Sequence, residues 1–322
     1  MTGRLVISLD FELMWGVRDH RSPADYGDAV IGGRNAIPEV LRRFASNGIR
    51  ATWATVGFVF ARDRQEILDH APALRPEYAN PASSPYAFVE NGLGRNEAED
   101  PLHFGHSLVA RIADTEGQEL GTHSFSHFCC LEPGHSPEAF AADLGAARSI
   151  ARANGHQLET IVFARNQMSA PYIAAVAAQG IETYRGNPST FAYRPRSSSE
   201  NSSLVRMARL LDSVVPVSGR LDYGSPSHAG GATDVPASRF LRPFSPSLSA
   251  LSHLQTRRIC REMEIAARDG RIYHLWWHPH NMGRNTAENL HQLDSIIDQF
   301  VELRERYGMT SCAMRDFAQA AR

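Results

Sequence analysis

Long apolar runs and a clear excess of one charge are both missing from this sequence of 322 residues. No segment approaches the roughly 18 consecutive apolar residues of a membrane-spanning helix. The 33 basic and 35 acidic residues leave a formal net charge of -2, which gives no electrostatic basis for a nucleic-acid partner or a polybasic membrane contact. The sequence therefore favours a neutral or weakly anionic ligand.

Cysteines are few and show no disulfide pattern. They stand at positions 129, 130, 260 and 312, without a CxxC spacing, and the adjacent pair could close only a strained ring. We expect reduced thiols. The first residues run directly into a strand-like segment ending at Asp10, with no apolar stretch typical of a signal peptide. These features favour a cytoplasmic protein, while the oligomeric state is left open.

What is present is an alternation of strand-like and helix-like segments. Arg4–Asp10 is a short apolar run that ends in a carboxylate, as expected of a buried parallel strand. The spacing of apolar residues predicts a helix over Arg34–Asn47, followed by Gly48 at the position of a C-cap glycine, and Arg50–Phe60 is predicted as the second strand. A strand-helix-strand unit of this kind implies a parallel sheet.

The same alternation continues to the end of the chain. Further strands are predicted at Thr160–Arg165, Ser213–Val217, Ile272–His278 and Met309–Met314, and helices at Pro137–Asn154, Ser169–Ala178, Leu251–Arg268 and Thr286–Arg306. We predict an α/β fold, a distorted (β/α) barrel of seven or eight units in one domain over residues 1–322, with an open doubly wound sheet as the alternative.

Two segments interrupt this alternation. Residues 63–105 are rich in Pro, Asn, Ser and Glu, and residues 184–246 are rich in Ser, Gly, Pro and Arg. Both are long for loops of a compact domain. They are predicted to be insertions, which either cover and contact a substrate or form disordered surface.

An acidic pair follows the first predicted strand. In Asp10-Phe11-Glu12 the residues i and i+2 of an extended chain face the same way, so both carboxylates can point into one cavity. One could hold a metal ion while the other takes a proton from water. Acidic pairs at strand ends are also often solvated or cap a helix, so this pair alone does not establish a site.

Two histidines four residues apart form the second candidate element. In His123-Ser-Phe-Ser-His127 both imidazoles can bind one metal ion if the segment forms a helical turn. An HxxxH spacing arises easily by chance in a chain with 14 histidines. Together with a carboxylate from a strand end, it would leave coordination positions open for water and substrate.

The order of these segments resembles the NodB-homology domain of polysaccharide deacetylases, carbohydrate esterase family 4. After the strand with Asp-x-acid comes an ATxxxVG segment at residues 51–57, and GQELGTHSFSH at residues 117–127 is close to the second motif of that family. Phe163-Ala164-Arg165 occupies the place of its arginine motif, and the strand ending at His278 resembles the one that brings a catalytic histidine. The resemblance spans roughly residues 4–280 and implies a NodB-like (β/α) barrel.

The resemblance also implies a metal ion and its ligands. Glu12, His123 and His127 correspond to the metal-binding residues, and the ion implied is divalent, most often Zn²⁺, with Co²⁺, Mn²⁺ or Ni²⁺ as alternatives. Such an ion polarises the acetamido carbonyl and lowers the pKa of a water molecule.

Three further residues take catalytic roles by the same resemblance. Asp10 is implied as the general base, Arg165 as the residue that holds and orients Asp10, and His278 as the general acid for the leaving amine. The usual family pattern has two adjacent aspartates, whereas here the second acid is Glu12, so Asp10 and Glu12 could exchange roles. The arginine motif continues into Asn166 and Gln167 rather than Pro-Tyr, which leaves the oxyanion donor unassigned.

The implied activity is removal of an N-acetyl group from an N-acetylated sugar. Without an export signal, we expect a cytoplasmic precursor of a surface polysaccharide such as O-antigen, carried on a nucleotide or a lipid. Two alternatives stay open: an amidase acting on a small ring amide with the same fold, and a carbohydrate-binding pseudoenzyme without activity.

Overall fold

The protein, in a computed structural model that describes residues 2–319, is built around one ten-stranded sheet. Its order is β6-β7-β5-β4-β3-β2-β1-β9-β8, and β10 pairs with the first half of β1. The pairs from β5 across to β9 are parallel, whereas β6 and β7 are antiparallel. The strands are β1 (Arg4–Phe11), β2 (Ala51–Thr55), β3 (Gln118–Thr122), β4 (Thr160–Ile161), β5 (Thr183–Tyr184), β6 (Ser227–Ala229), β7 (Ala232–Asp234), β8 (Arg239–Phe240), β9 (Ile272–Trp277) and β10 (Thr310–Cys312).

Helices connect the strands and bury their apolar faces against the sheet. The core between them includes Leu9, Val40, Phe44, Trp277 and Phe300, all of them buried. The helices are α1 (Pro23–Asn47), α2 (Gly57–Phe60), α3 (Arg64–His70), α4 (Tyr86–Asn91), α5 (His106–Ala113), α6 (Pro137–Ala153), α7 (Ala170–Ala178), α8 (Ser203–Val214), α9 (Ser249–Arg268), α10 (Thr286–Tyr307) and α11 (Asp316–Gln319).

The segment from β7 to β8 closes the sheet by connecting β5 with β9. Its first part is bonded to β5, since Val235 N–H donates to Tyr184 O at 2.9 Å. Its second part is bonded to β9, since Ser238 N–H donates to His274 O and Leu241 N–H to Trp276 O, both at 2.8 Å. The predicted distorted (β/α) barrel is therefore confirmed, and the open doubly wound sheet is not the fold.

Helix α1 begins eleven residues before its predicted start at Arg34. Asp25 accepts a hydrogen bond from the N–H of the N-cap Ser22, Pro23 occupies the first turn, and the helix ends at Gly48 as predicted. Three glycines in its first half, at positions 27, 32 and 33, obscured the helical pattern. A Cβ on Gly33 would lie 2.6 Å from the Cα of His280, so glycine allows α1 to pack directly against the chain that follows β9.

Three predicted strands are wrong in whole or in part. Arg50–Phe60 divides into β2 and the short helix α2, because the chain turns at Val56. Thr160–Arg165 is extended only to Ile161 and then enters a 3₁₀ turn. Ser213–Val217 is the end of α8 and the turn after it, since Ser202 caps a helix whose valine-rich end imitates a strand.

Both predicted insertions contain regular secondary structure. Residues 63–105 contain α3 and α4 and bury Val89 and Phe104 in the core. Residues 184–246 contain α8 and the strands that complete the barrel.

None of the helices within residues 2–319 combines the length and the apolar composition that crossing a membrane requires. The four cysteines are free thiols, as expected.

Candidate metal centre and active site

The two acidic residues of the first motif lie side by side at the carboxyl end of β1. Asp10 belongs to the strand, and Glu12 follows it as the N-cap of a 3₁₀ turn over Leu13–Gly16. Both side chains are almost fully buried, with 2% and 4% of their surfaces exposed. Both line the same cavity, in accordance with their i, i+2 spacing.

His123 and His127 meet Glu12 from the loop after β3. The Nε2 atoms of His123 and His127 lie 3.3 and 3.2 Å from Glu12 Oε2. The prediction of a helical turn is wrong, because Ser124 and His127 have positive φ values of 63° and 58° and the segment is an irregular loop. The two rings nevertheless come within 5.1 Å of each other, since the loop folds back over the strand ends.

A buried carboxylate from α6 holds this loop in shape. Asp143 accepts hydrogen bonds from the Phe125 N–H at 2.6 Å and from the Ser126 hydroxyl at 2.5 Å. Burial raises the pKa of Asp143 to about 6, although these hydrogen bonds oppose the shift. Asp143 is thus a support of the histidine loop that the sequence motifs did not reveal.

The residues present fit a divalent transition metal. Glu12, His123 and His127 offer ligand atoms that lie within 4.8 Å of one another. His123 Nδ1 lies 2.8 Å from the carbonyl oxygen of Val162, an acceptor, so Nδ1 carries the proton and the Nε2 lone pair faces Glu12. Two acceptors facing each other at this distance need a cation between them. Ligands about 2.0–2.1 Å from a tetrahedral zinc ion would be separated by about 3.3 Å, close to the observed spacing.

The electrostatics of Glu12 agree with this arrangement. Burial raises the pKa of Glu12, but the charge of His278 and the close approach of His123 and His127 outweigh burial and hold the pKa well below its usual value. Burial also lowers the pKa of His127, against the opposing effect of Glu12. An ionised carboxylate and a neutral imidazole are the forms that bind metal.

Gly16 makes room for the Glu12 side chain. A Cβ at this position would lie 2.0 Å from Glu12 Cδ, well inside van der Waals contact. The 3₁₀ turn brings Gly16 back over the carboxylate because the Trp15 N–H donates to Glu12 O at 2.9 Å. A glycine is therefore required for the observed position of the carboxylate.

Asp10 is held by Arg185, which sequence analysis missed. The guanidinium donates to both carboxylate oxygens, from Nη1 at 2.7 Å and from Nη2 at 2.8 Å. It is fully buried, lies 4.1 Å from the Trp276 ring centroid and donates to Ser8 Oγ at 3.0 Å. Burial raises the pKa of Asp10, but the charge of Arg185 outweighs it with help from His123 and His278, and the net shift is downward.

Arg165 does not make the predicted contact with Asp10. Its Nη2 donates to Asp19 Oδ2 at 2.5 Å and its Nη1 to Ser198 Oγ at 3.0 Å. The chain leaves β4 through two successive left-handed residues, Arg165 and Asn166, with φ of 55° and 54°, and this turn directs the arginine to another wall of the cavity. Arg185 directly follows the two-residue strand β5, which is too short to be recognised from the sequence.

His278 lies beside the metal-ligand cluster at the edge of the cavity. Its Nε2 is 3.7 Å from Asp10 Oδ2 and 3.6 Å from Glu12 Oε1, and its Nδ1 is 3.2 Å from Asn281 Oδ1. The His278 and His280 rings stack with centroids 5.0 Å apart. Burial, with the charge of His278, lowers the pKa of His280 to about 3, so His280 is neutral, while His278 is partly exposed to the cavity.

The cavity itself has a volume of about 490 Å³ and is open on one side. Its floor is formed by the strand ends that carry Asp10, Glu12 and His278, and one wall by residues 187–242. Trp276 and Phe240 lie in this cavity with ring centroids 4.6 Å apart, whereas Trp277 is buried in the opposite layer.

Trp15 and His103, in the first half of the chain, pack away from the cavity. Trp15 lies edge-on against Phe58 and His103 and donates from Nε1 to the His103 carbonyl at 2.8 Å. His103 is buried and paired with Asp100 at 2.9 Å. Both residues stabilise the core beneath α4 and do not line the cavity.

Comparison with solved structures gives the class of fold. Neither a protein-family model nor a curated protein matches the sequence. Solved structures do match over nearly the whole chain, and the fold is the (β/α) barrel of NodB-type polysaccharide deacetylases.

Three of these structures illustrate the range of proteins with this fold. A protein from Mycobacterium smegmatis, assigned as a polysaccharide deacetylase, aligns with a TM-score of 0.60 at 10% identity, over 99% of this chain and 90% of its own. Puue allantoinase aligns with a TM-score of 0.54 at 10% identity, over 98% and 89%. The 4-alpha-glucanotransferase of Thermococcus litoralis gives 0.56 at 10% identity, over 99% of this chain but 40% of that one. Because one fold serves different reactions, the function has to be argued from the site.

Proposed function

We propose that the protein is a metal-dependent hydrolase that removes an N-acetyl group from an N-acetylated sugar. The observation that carries this proposal is the meeting of the Glu12, His123 and His127 cluster with the Asp10–Arg185 pair and His278 in one cavity. Amide hydrolysis needs an activated water, a base and an acid for the leaving amine. The cavity offers candidates for each of these roles.

Glu12, His123 and His127 would hold the divalent ion. Their donor set of one oxygen and two imidazole nitrogens is typical of catalytic zinc, with Co²⁺, Mn²⁺ and Ni²⁺ as alternatives. When bound, the ion polarises the acetamido carbonyl and makes a water molecule more acidic. The near-equal distances of 3.2 and 3.3 Å from Glu12 Oε2 to the two imidazoles support Glu12 as the ligand and leave Asp10 as the base.

Asp10 would take the proton of the attacking water. Arg185 fixes both carboxylate oxygens through one lone pair each, and the second lone pairs remain available to accept a proton. The depressed pKa of Asp10 keeps it ionised at neutral pH. Arg185 therefore takes the positioning role that the sequence suggested for Arg165.

His278 would protonate the leaving amine. Its Nε2 lies 3.7 Å from Asp10 Oδ2 and 3.6 Å from Glu12 Oε1, so the imidazole is next to the candidate base and the candidate metal ligand. The amide C–N bond breaks as the nitrogen receives this proton, and the products are acetate and a free amino sugar. Without an acid, the amine would be a very poor leaving group.

The substrate would be a cytoplasmic precursor of a surface polysaccharide, such as an O-antigen intermediate. Trp276 and Phe240 offer aromatic surface for a sugar ring in a cavity of about 490 Å³. The free thiols agree with a reducing compartment.

Hydrolysis of a small ring amide is the second candidate. The observation in its favour is the likeness to Puue allantoinase, with a TM-score of 0.54 over 98% of this chain. Assaying allantoin hydrolysis beside sugar deacetylation separates the two activities.

The test is release of acetate from N-acetylated amino sugars by the purified chain. We expect activity to disappear after exhaustive chelation and to return with Zn²⁺ or Co²⁺, and to be absent in His123→Ala. The exposed His291 serves as the matched control, so His291→Ala should keep full activity. Acetate release that survives complete chelation would contradict the proposal.

A further inference from the structure

Arginines line one wall of the active-site cavity without carboxylate partners. Arg196, Arg209 and Arg242, named here the arginine wall, all border the cavity that contains Asp10 and Glu12. Each is half-buried, and among residues 2–319 none of the three has a carboxylate oxygen within 4 Å. The chain as a whole has a net charge of -2, so this concentration of positive charge is local.

The contacts within the wall are to neutral groups. Arg209 donates to Ala192 O at 2.7 Å and to Asn201 Oδ1 at 3.2 Å. Arg196 donates to Phe191 O at 2.7 Å and lies over the Phe191 ring. The guanidinium of Arg242 has no hydrogen-bond acceptor in the described part of the chain. Five N–H donors of Arg242 are thus available to a ligand.

The charges of the wall act on one another. Burial lowers the pKa of Arg209, and the positive charges of Arg196 and Arg242 lower it further. Burial lowers the pKa of Arg242 as well. Glu200 feels the charge of Arg196, but its carboxylate accepts from the Ser197 N–H and hydroxyl instead of pairing with the arginine. Clustered, partly desolvated arginines are unfavourable unless an anion binds them.

Other arginines of the same cavity show the contrast. Arg239 is neutralised by Asp212 at 2.5 Å and Glu262 at 2.9 Å, and Arg165 by Asp19 at 2.5 Å. The carboxylates that line the cavity, Asp10 and Glu12, are engaged by Arg185 and by the histidines. No lining carboxylate is therefore left to neutralise the wall.

We propose that the arginine wall binds a phosphate or diphosphate group attached to the sugar while the acetamido group lies at the Glu12, His123 and His127 cluster. This proposal rests on the proposed function and narrows its substrate to an N-acetylated sugar that is joined to its carrier through phosphate. Planar guanidinium groups suit phosphate oxygens because they donate two parallel hydrogen bonds. A neutral polysaccharide offers these donors only uncharged oxygen acceptors, which form weaker hydrogen bonds.

Two sources of the phosphate are chemically possible, a nucleoside diphosphate sugar and a prenyl diphosphate sugar. Helix α8, which carries Arg209, exposes Leu204 and Met207 to solvent, so the prenyl carrier also has apolar surface available. The experiment includes one probe for each source.

The test measures binding of uridine diphosphate, farnesyl diphosphate and neutral tri-N-acetylchitotriose to the zinc-loaded full chain by calorimetry. We expect each diphosphate to bind at least about tenfold more tightly than the neutral sugar, since charge-assisted hydrogen bonds are stronger than neutral ones. The diphosphate that binds more tightly identifies the carrier. Equal or weaker binding of both diphosphates relative to the neutral sugar would overturn the proposal.

Variants separate the wall from binding of diphosphate to the metal. In Arg242→Gln and in Arg209→Gln, diphosphate affinity should fall about tenfold, because each loses a charged pair of donors. Arg206→Gln on the exposed side of α8 is the matched control and should bind like the unaltered chain. Thermal unfolding of Arg242→Gln should be unchanged, since this guanidinium has no intramolecular bond to lose.

Two outcomes distinguish the wall from the hydrolytic activity. Diphosphate binding that depends on Arg242 without any acetate release would support the wall and refute the proposed hydrolase. Acetate release together with diphosphate binding that is identical in Arg242→Gln and Arg206→Gln would refute the wall and leave the hydrolase standing.

Discussion

The ends of β1–β3 and the segment 184–246 contribute to the same cavity in different ways. The end of β1 supplies Asp10 and Glu12, the end of β3, on the other side of β2, supplies His123, and His127 follows in the adjoining loop. Segment 184–246 supplies Arg185, the barrel-closing strands and the arginine wall. The first region has the groups for chemistry, whereas the second orients a carboxylate and offers positive charge for recognition. Substitutions in the first region should therefore impair catalysis or metal binding, whereas substitutions in the second should impair stability or ligand binding.

The largest effect is expected from Asp10→Asn in the first region. Loss of the general base should lower kcat by about 100- to 10,000-fold. The metal content should stay at one ion per chain, because Glu12, His123 and His127 are unaltered. Acetate-release kinetics and elemental analysis of the same sample measure both quantities. A loss of metal equal to the loss of activity would instead make Asp10 a ligand.

Arg185→Gln tests the second region, with Arg165→Gln as its matched control. Without Arg185, the buried carboxylate of Asp10 has no guanidinium partner. This loss should lower the free energy of unfolding by about 3–5 kcal/mol. Removing Arg165 breaks a partly exposed pair with Asp19, with a side chain that is 24% exposed, and should cost about 0–1 kcal/mol. Urea unfolding of both variants measures the difference. Equal losses would show that the two arginines are equivalent supports.

Asp143→Asn tests the support of the histidine loop through pH. Burial raises the folded-state pKa of Asp143 to about 6, above its ordinary value of 3.8. The unfolded chain ionises first as pH rises from about 4 to about 6, so the contribution of Asp143 to stability is lost across this window, by about 1–3 kcal/mol. The difference in unfolding free energy between the unaltered chain and Asp143→Asn, in excess chelator, should shrink from pH 4.5 to pH 7. A constant difference would mean that Asp143 does not titrate there.

Gly16→Ala should have the smallest effect and should act on the metal alone. The new Cβ would lie 2.0 Å from Glu12 Cδ, so the carboxylate has to move away from the two imidazoles. We expect zinc affinity to weaken about tenfold. Mutations of residues that orient a metal ligand without binding the metal have effects of this size. Zinc titration measures this change, with Gly145→Ala, where the Cβ would meet only Gln179 Oε1 at 3.7 Å, as a control for stability. Unaltered zinc affinity would show that Glu12 has another position from which to bind.

The sequence was sufficient for the parts of the site that depend on local pattern. A carboxylate after an apolar strand and an HxxxH segment marked Glu12, His123 and His127 as candidates, and the structure brings them together. The strand β3 before the histidines was not predicted. The sequence was not sufficient for Arg185, because its contact with Asp10 spans 175 residues and depends on how the barrel closes. Arg165 follows the expected motif, yet two left-handed residues direct it to Asp19.

The fold shows the same division between local and long-range information. Helices with clear caps, such as α6 after Ser136, were predicted within a residue. The valine-rich end of α8 was predicted as a strand, since β-branched residues imitate strands wherever tertiary packing selects a helix. The short strands β5, β7 and β8 have two or three residues each, too few for an alternating pattern, so the sequence did not show which segments close the predicted barrel.

Zinc titration of the chelated full chain, beside His123→Ala and His291→Ala, tests the central claim most directly. The account predicts one tight site in the unaltered chain and in His291→Ala, and its loss in His123→Ala. It also predicts that acetate release returns in proportion to the zinc bound. A chain that binds no divalent metal, or that binds it equally well without the His123 imidazole, would contradict the account.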